Sequence, residues 1–457
     1  MATTIQAARH IEKIAVSRKS LDTLATIFIA AWVTVLLQGA LRKWVFPGVT
    51  VVYLIQDVPL AIAYVYALRK NIIWAGKLAA LCTGIAVLLS IQTLLQIILI
   101  DHSPIVAMIG LHHYIFYLPM LFLIPPCMTP HNIQRFLRLN LWVNIPMGLL
   151  AVLQAASPRA AWVNRTVTGD ENAFQIGGSD AVRAMGTFSF TLMFSVWCGI
   201  AVALVIGEWL LPPARRAYQS RFLLLASTTG AAVATMVSGS RSAIALAAFS
   251  FFGGLAAVLV TRNHALLVRF AAIAFLVPVL GLLSFVVAPK SFQATLDRLS
   301  GSGYQGEMVT RVVAMSVGFL TEPSFSPLGL GIGDGIRAAS VGSASAYGVS
   351  LSEYDSTRIV QELGTFTGGF LVLLRYGATI VLIFAGFKAL LLPHLHSFPH
   401  AVPLAFTLAS TLMTGDIVRA APGIATQSYF CIALICGAIL SSQQSRQRKI
   451  LESFQMR

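Results

Sequence analysis

The chain has 457 residues, 57% of them hydrophobic and 11% charged, with a formal charge of +15 and a mean hydropathy of +0.78. That balance excludes a water-soluble globular domain. The apolar residues fall in long continuous runs, the pattern of spanning helices, and lack the alternation of a β-barrel.

About twelve runs are long enough to be read as crossing a bilayer: 21–41, 51–68, 78–100, 105–126, 139–157, 188–211, 222–237, 242–261, 266–288, 368–391, 401–415 and 424–441. Backbone groups in hydrocarbon must be satisfied within their own segment, so the runs are expected to be helices. The expected fold is an all-α integral membrane protein, a polytopic bundle forming one domain over 1–457. Residues 1–20 are polar and basic, and the first run is near spanning length, so it reads as an anchor rather than a cleaved signal. With both termini cytoplasmic, the excess of Lys and Arg falls on the inner side, as the positive-inside rule expects. Arg69-Lys70, Arg215-Arg216, Arg262 and Arg446-Arg448-Lys449 are the anchors. The basic charge therefore reads as topology, and nucleic-acid binding is set aside. The five cysteines fall in or beside the runs, so no disulfide framework is implied.

Leu41-Arg42-Lys43-Trp44-Val45-Phe46-Pro47-Gly48 follows the first run, and Asp57 sits inside the next. A carboxylate in hydrocarbon needs a partner, and Arg42 or Lys43 is the simplest one. Gln92 and Gln96 share a helix face at i and i+4, and His112-His113 lie inside the fourth run. Hydrogen bonding among these four within the bundle, or a polar cavity, accounts for them better than a metal site, since no acidic ligands cluster nearby.

Two intervals between runs are long. The first, 158–187, is rich in Gly and polar residues and closes on Arg183-Ala184-Met185-Gly186-Thr187-Phe188-Ser189. Arg183 either anchors the next helix or binds an anion. Ser238-Gly239-Ser240-Arg241-Ser242 separates two runs, with the same two readings for Arg241: a helix-end anchor, or a guanidinium fork on phosphate. The second interval, 289–367, is far longer than its neighbours, and loops of that length are functional or disordered. It is expected to hold a short helix at 306–320, where Met308, Val312, Met315 and Phe319 recur at helical spacing.

The run Gly329-Leu330-Gly331-Ile332-Gly333-Asp334-Gly335 follows. Without a preceding strand it is not a dinucleotide loop. It reads either as a plain turn or as one bringing backbone N–H groups and Arg337 to a ligand. Glu353, Asp355, Arg358 and Glu362 come before the next run. They read either as solvated loop charges or as a general base beside cations for a leaving diphosphate. Arg375, inside that run, needs a partner or a wet cavity.

This pattern resembles the O-antigen ligase / O-antigen polymerase-like family of bacterial inner membranes. The resemblance rests on Ser238–Ser242, on Pro327-Leu328-Gly329-Leu330-Gly331-Ile332-Gly333, and on Glu362-Leu363-Gly364 with Gly368. Leu41–Gly48, the segment from Leu150 through Gln154 to Pro158, and Arg183–Ser189 are similar to an exopolysaccharide-associated subgroup. The resemblance implies metal-independent glycosyl transfer in the periplasm, without a cofactor. The implied donor is an undecaprenyl-diphosphate-linked glycan. Arg241 and Arg183, helped by Arg337 and Arg358, would neutralise its diphosphate. The segments 158–187 and 289–367 would be periplasmic, the larger one closing over the acceptor.

Family ligases carry a histidine late in the large loop, and 289–367 has none. That departure favours a polymerase with a carboxylate base, among Glu353, Asp355 and Glu362, over a ligase to lipid A–core. A transporter or flippase of lipid-linked oligosaccharide is the reading from another class, and a silent scaffold in an export complex is the third. A chain-length regulator and a flippase are the implied partners, beside membrane lipid.

Overall fold

A computed structural model describes residues 18–72, 76–167, 169, 175–176, 181–300, 304–321, 326–334, 352, 354–393, 397–414 and 421–455. The helices are α1 (Arg18–Ala40), α2 (Asp57–Arg69), α3 (Lys77–Leu99), α4 (Pro104–Ile115), α5 (Pro130–Ala156), α6 (Thr191–Leu210) and α7 (Arg221–Val237). They continue with α8 (Arg241–Thr261), α9 (His264–Val287), α10 (Pro289–Ser300), α11 (Tyr304–Val317), α12 (Asp355–Leu390), α13 (Ala401–Thr414) and α14 (Ala421–Gln455). Among the described residues there is no strand, only one isolated antiparallel bridge, Gln175 to Val182.

Nine helical stretches among the described residues are long and apolar enough to cross a membrane. The chain is an all-α membrane protein. Its outward apolar surface fits that solvent: Phe275 and Val286 of α9 are each 75% exposed, which in water would be an aggregation liability. The remaining expected runs are shorter. Arg221–Val237 and Ala401–Thr414 are apolar helices below spanning length. The 51–68 run divides into a 3-10 turn, Thr50–Leu54, and the 13-residue α2. Conversely α5 starts earlier than its apolar run, because Thr129 caps it by accepting from Asn132 N–H and Pro130 takes a first-turn position that needs no N–H partner.

α6 lies at the centre and is buried along nearly its whole length. Small residues let helices meet closely. A Cβ on Gly148 of α5 would fall 2.5 Å from Gly230 Cα of α7. Buried polar groups pair across helices: Trp32 donates to Asn140 at 3.1 Å, Asn144 to Ser227 at 3.0 Å, and the hydroxyls of Ser250 and Thr407 meet at 2.6 Å.

The long interval after α9 carries more helix than the expected one. α10 fills 289–300, α11 with the turn Gly318–Leu320 matches the expected helix at 306–320, and α12 begins already at Asp355. Helix α12 is interrupted at Gly364, whose φ of 80° and ψ of 170° are outside the helical region. A break strands backbone carbonyls. Here Leu330 N–H donates to Gln361 O (2.8 Å), Gly331 N–H to Glu362 O (3.2 Å), Gln96 to Glu362 O (2.7 Å) and Gln92 to Leu363 O (3.1 Å). Glycine is required on both sides of the contact. A Cβ on Gly364 would lie 2.1 Å from Pro327 O, and one on Gly329 (φ 80°) 2.3 Å from Glu362 O.

Candidate functional site

Three arginines from separate elements converge at Gly239, in the turn before α8. Arg298 of α10 donates from Nη1 to Gly239 O at 3.3 Å, and a Cβ on Gly239 would stand 3.4 Å from Cγ of Arg183. Arg241 is the first residue of α8. Burial, with Arg298 and Arg241 alongside, lowers the Arg183 guanidinium to about 10. Neighbouring like charges disfavour the cation, and a bound polyanion would relieve them. The turn is pinned from beneath: Ser240 N–H donates to Ser238 Oγ (3.2 Å) and Ser195 donates to Ser240 Oγ (2.8 Å). The positive end of the helix dipole of α8 adds to the same field.

The segment bearing Arg183 is held by the motifs around 41–48 and 150–158. Gln154 accepts from Met185 and Gly186 N–H (3.1 and 2.8 Å) and donates to Gly186 O (3.0 Å). Lys43, fully buried, donates to Gly186 O at 2.7 Å. Thr187 donates to Leu36 O, and Arg42 reaches Ser189 Oγ at 3.4 Å. These segments, distant in sequence, form one support.

A second charged cluster surrounds the start of α12. Asp355 accepts from Arg358 at 2.7 Å and from Arg375 at 2.6 Å. Arg375 also donates to Leu412 O. Glu362, with no exposed surface, accepts from Tyr114 at 2.9 Å and from Gly333 N–H at 3.4 Å, with Arg358 Nε 4.0 Å away. Two carboxylates and Arg358 are thus buried together with the partly buried Arg375 beside them, and each carboxylate has geometry-defined partners, as burial demands.

No family model matches the chain, and no curated protein does.

Several expectations about partners change. Asp57 pairs with neither Arg42 nor Lys43; it accepts from Tyr117 at 2.7 Å and lies 3.3 Å from His112 Nε2. The reason is the wide π-turn Leu41–Val45, from which Arg42 and Lys43 reach Ser189 and Gly186. Gln92 and Gln96 are not partners of His112 or His113; both donate to Leu328 O, and Gln96 accepts from Ile332 N–H. The N–H groups of Leu330, Gly331, Ile332 and Gly333 all go to acceptors of the protein itself, so the glycine turn docks on α12 instead of offering them to a ligand. Glu353 and Arg337 lie outside the described residues. Among the described residues no three His, Cys, Asp or Glu side chains converge as a metal site, and all five cysteines are free.

Sequence reasoning missed Arg298 and Tyr114. Arg298 carries a weak signal, a basic residue in a strongly amphipathic stretch. Tyr114 has a clearer one, since it adjoins the His112-His113 pair. Three consecutive residues of α4 serve three partners: His112 meets Asp57, His113 stacks near Tyr53 (6.5 Å between centroids), and Tyr114 reaches Glu362. Tyr53 in turn lies under Arg42, 5.3 Å from its ring centre. Helix α4 therefore links the α12 cluster to the Arg42 support.

Proposed function

We propose that this protein is a membrane glycosyltransferase that polymerises undecaprenyl-diphosphate-linked repeat units at the periplasmic face of a bacterial inner membrane. The observation that carries the reading is the convergence of Arg183, Arg241 and Arg298 at the start of α8. A diphosphate is the leaving group of such a transfer, and three guanidiniums with a helix N-terminus are suited to its developing charge. On this reading the bundle makes about twelve crossings, the shorter helices included, and 289–367 faces the periplasm.

The transferred sugar's acceptor hydroxyl must lose a proton. We assign that base to Glu353, because Asp355 and Glu362 are already engaged by Arg358, Arg375, Tyr114 and Gly333. Those two carboxylates then act as positioning residues that fix the turn 326–334 against the kink of α12, and Arg358 with them.

A transporter reading draws on the interrupted helix α12, since broken helices mark substrate sites in transporters. The carbonyls at this break are occupied by Leu330, Gly331, Gln92 and Gln96, which leaves the enzyme reading better supported.

The test is binding of undecaprenyl diphosphate to the purified protein. Arg241→Ala is expected to weaken it about ten-fold or more, since a hydrogen bond to a charged group contributes ~1.5–3 kcal/mol. Arg241→Lys is expected to restore only part, because the bidentate fork is lost. Unchanged binding in both variants would refute the role.

A further inference from the structure

Away from the arginine cluster, a cavity of about 730 Å³ opens between the end of α2, the start of α3 and the segment after α4. Its wall is formed by Tyr64, Leu68, Ala80, Thr83 and Phe122, with Lys77 at the edge. The Tyr64 hydroxyl is used internally, donating to Phe116 O at 2.9 Å. The cavity has a simple origin. Thirteen residues of α2 rise only about 20 Å, less than the ~30 Å hydrocarbon core, so the bundle is indented where α2 stops. The chain turns there through Asn71, at φ 51°.

The chain beside the recess is basic. Arg69 and Lys70 follow directly on Leu68, and these two and Lys77 are all exposed. None of the three is paired with a carboxylate among the described residues. The local sequence offers none: between Asp57 and Asp170 the only acidic residue is Asp101. An apolar recess with Lys77 in its wall, and with exposed Arg69 and Lys70 between its lining residues Leu68 and Ile72, matches a molecule with a hydrocarbon chain and an anionic head.

We propose that this recess is a specific site for one anionic phospholipid, an acyl chain filling the cavity and the phosphate headgroup held by Arg69, Lys70 and Lys77. The site is independent of the proposed glycosyl transfer. Its volume is within the ~300–1,000 Å³ of small-molecule sites.

The test is native mass spectrometry of the purified, delipidated full-length protein after adding phosphatidylglycerol or phosphatidylcholine. The wild type is expected to retain one phosphatidylglycerol in preference to phosphatidylcholine. The double variant Lys70→Gln/Lys77→Gln should lose that preference by about five-fold per cation removed. Ala80→Trp, on an exposed wall position, should abolish retention of either lipid by filling the recess. Equal retention of the two lipids by the wild type would overturn the proposal, as would an unchanged preference in the charge variant. Because Lys70 and Lys77 are at the surface, the charge variant keeps the test valid even if Ala80→Trp does not fold.

Discussion

Asp355 and Arg375 are 20 residues apart on opposite sides of the break in α12, and their side chains meet at 2.6 Å. This ion pair, shared with Arg358, ties the short arm of the helix to the long one. It accounts for a kinked helix that keeps its charges inside an apolar protein: the charges hold the kink, and the kink brings them together.

Removing the anion should therefore be severe. Asp355→Asn removes the carboxylate that Arg358 and Arg375 share and leaves two neighbouring guanidiniums beside one nearby carboxylate, Glu362, at an expected cost of ~3–5 kcal/mol. Thermal unfolding in detergent measures it. Asp355→Asn with Arg375→Met should be less damaging than the single change, and additive effects in that cycle would contradict the pairing.

The glycines at the kink make a separate prediction. Gly364→Ala must place a Cβ 2.1 Å from Pro327 O in a backbone conformation that L residues avoid. Strain of that kind alone costs ~1–3 kcal/mol, and the clash adds to it. The variant is expected to release the turn 326–334 and expose it to protease, whereas Gly369→Ala, with open space around it, should behave as wild type.

Gln96 holds the same turn through both ends of its amide, donating to Leu328 O and Glu362 O and accepting from Ile332 N–H. Gln96→Leu leaves the buried Ile332 N–H without its acceptor, at ~1–3 kcal/mol, and removes one of the two donors to each of Leu328 O and Glu362 O. Gln92→Leu should be similar in kind, since Gln92 also donates to Leu328 O and Leu363 O. Melting temperatures near wild type for both variants would show that the turn is held by something else.

The arginine cluster predicts a pH dependence. Arg183 is lowered to about 10 by burial and by its neighbours Arg298 and Arg241. On the proposed role the cluster holds a diphosphate through its charged form, so affinity should hold steady to about pH 9 and fall as the pH rises through 10. Titration with pyrophosphate across that range checks the sign. In Arg183→Lys the fall should move to a different pH, and in Arg183→Ala the affinity should be weak throughout.

The helices were legible because hydrocarbon demands continuous apolar runs, and the helix at 304–317 because Met308, Val312 and Met315 keep helical spacing. The segments 41–48, 150–158 and 183–189 were visible as motifs, but only packing reveals that Lys43 and Gln154 share the carbonyl of Gly186. Asp57 shows the limit of the approach: its nearest cations in sequence are not its partners, because a π-turn carries them to another segment. Gln92 and Gln96 were recognisable as a polar helix face, yet their partners lie more than 200 residues away. Arg298 was not singled out because one arginine on an amphipathic helix looks like a solvated residue until Gly239 and Arg183 are seen beside it.

The proposed polymerising glycosyl transfer can be followed in a single assay. Detergent-solubilised protein is mixed with the host's undecaprenyl-diphosphate-linked repeat unit, and both free undecaprenyl diphosphate and glycan length are followed. A polymerase releases the carrier together with a ladder of longer glycans, and Arg241→Ala is expected to lose both. No release from folded protein with a verified native donor, or a single transfer confined to lipid A–core, would contradict the proposal.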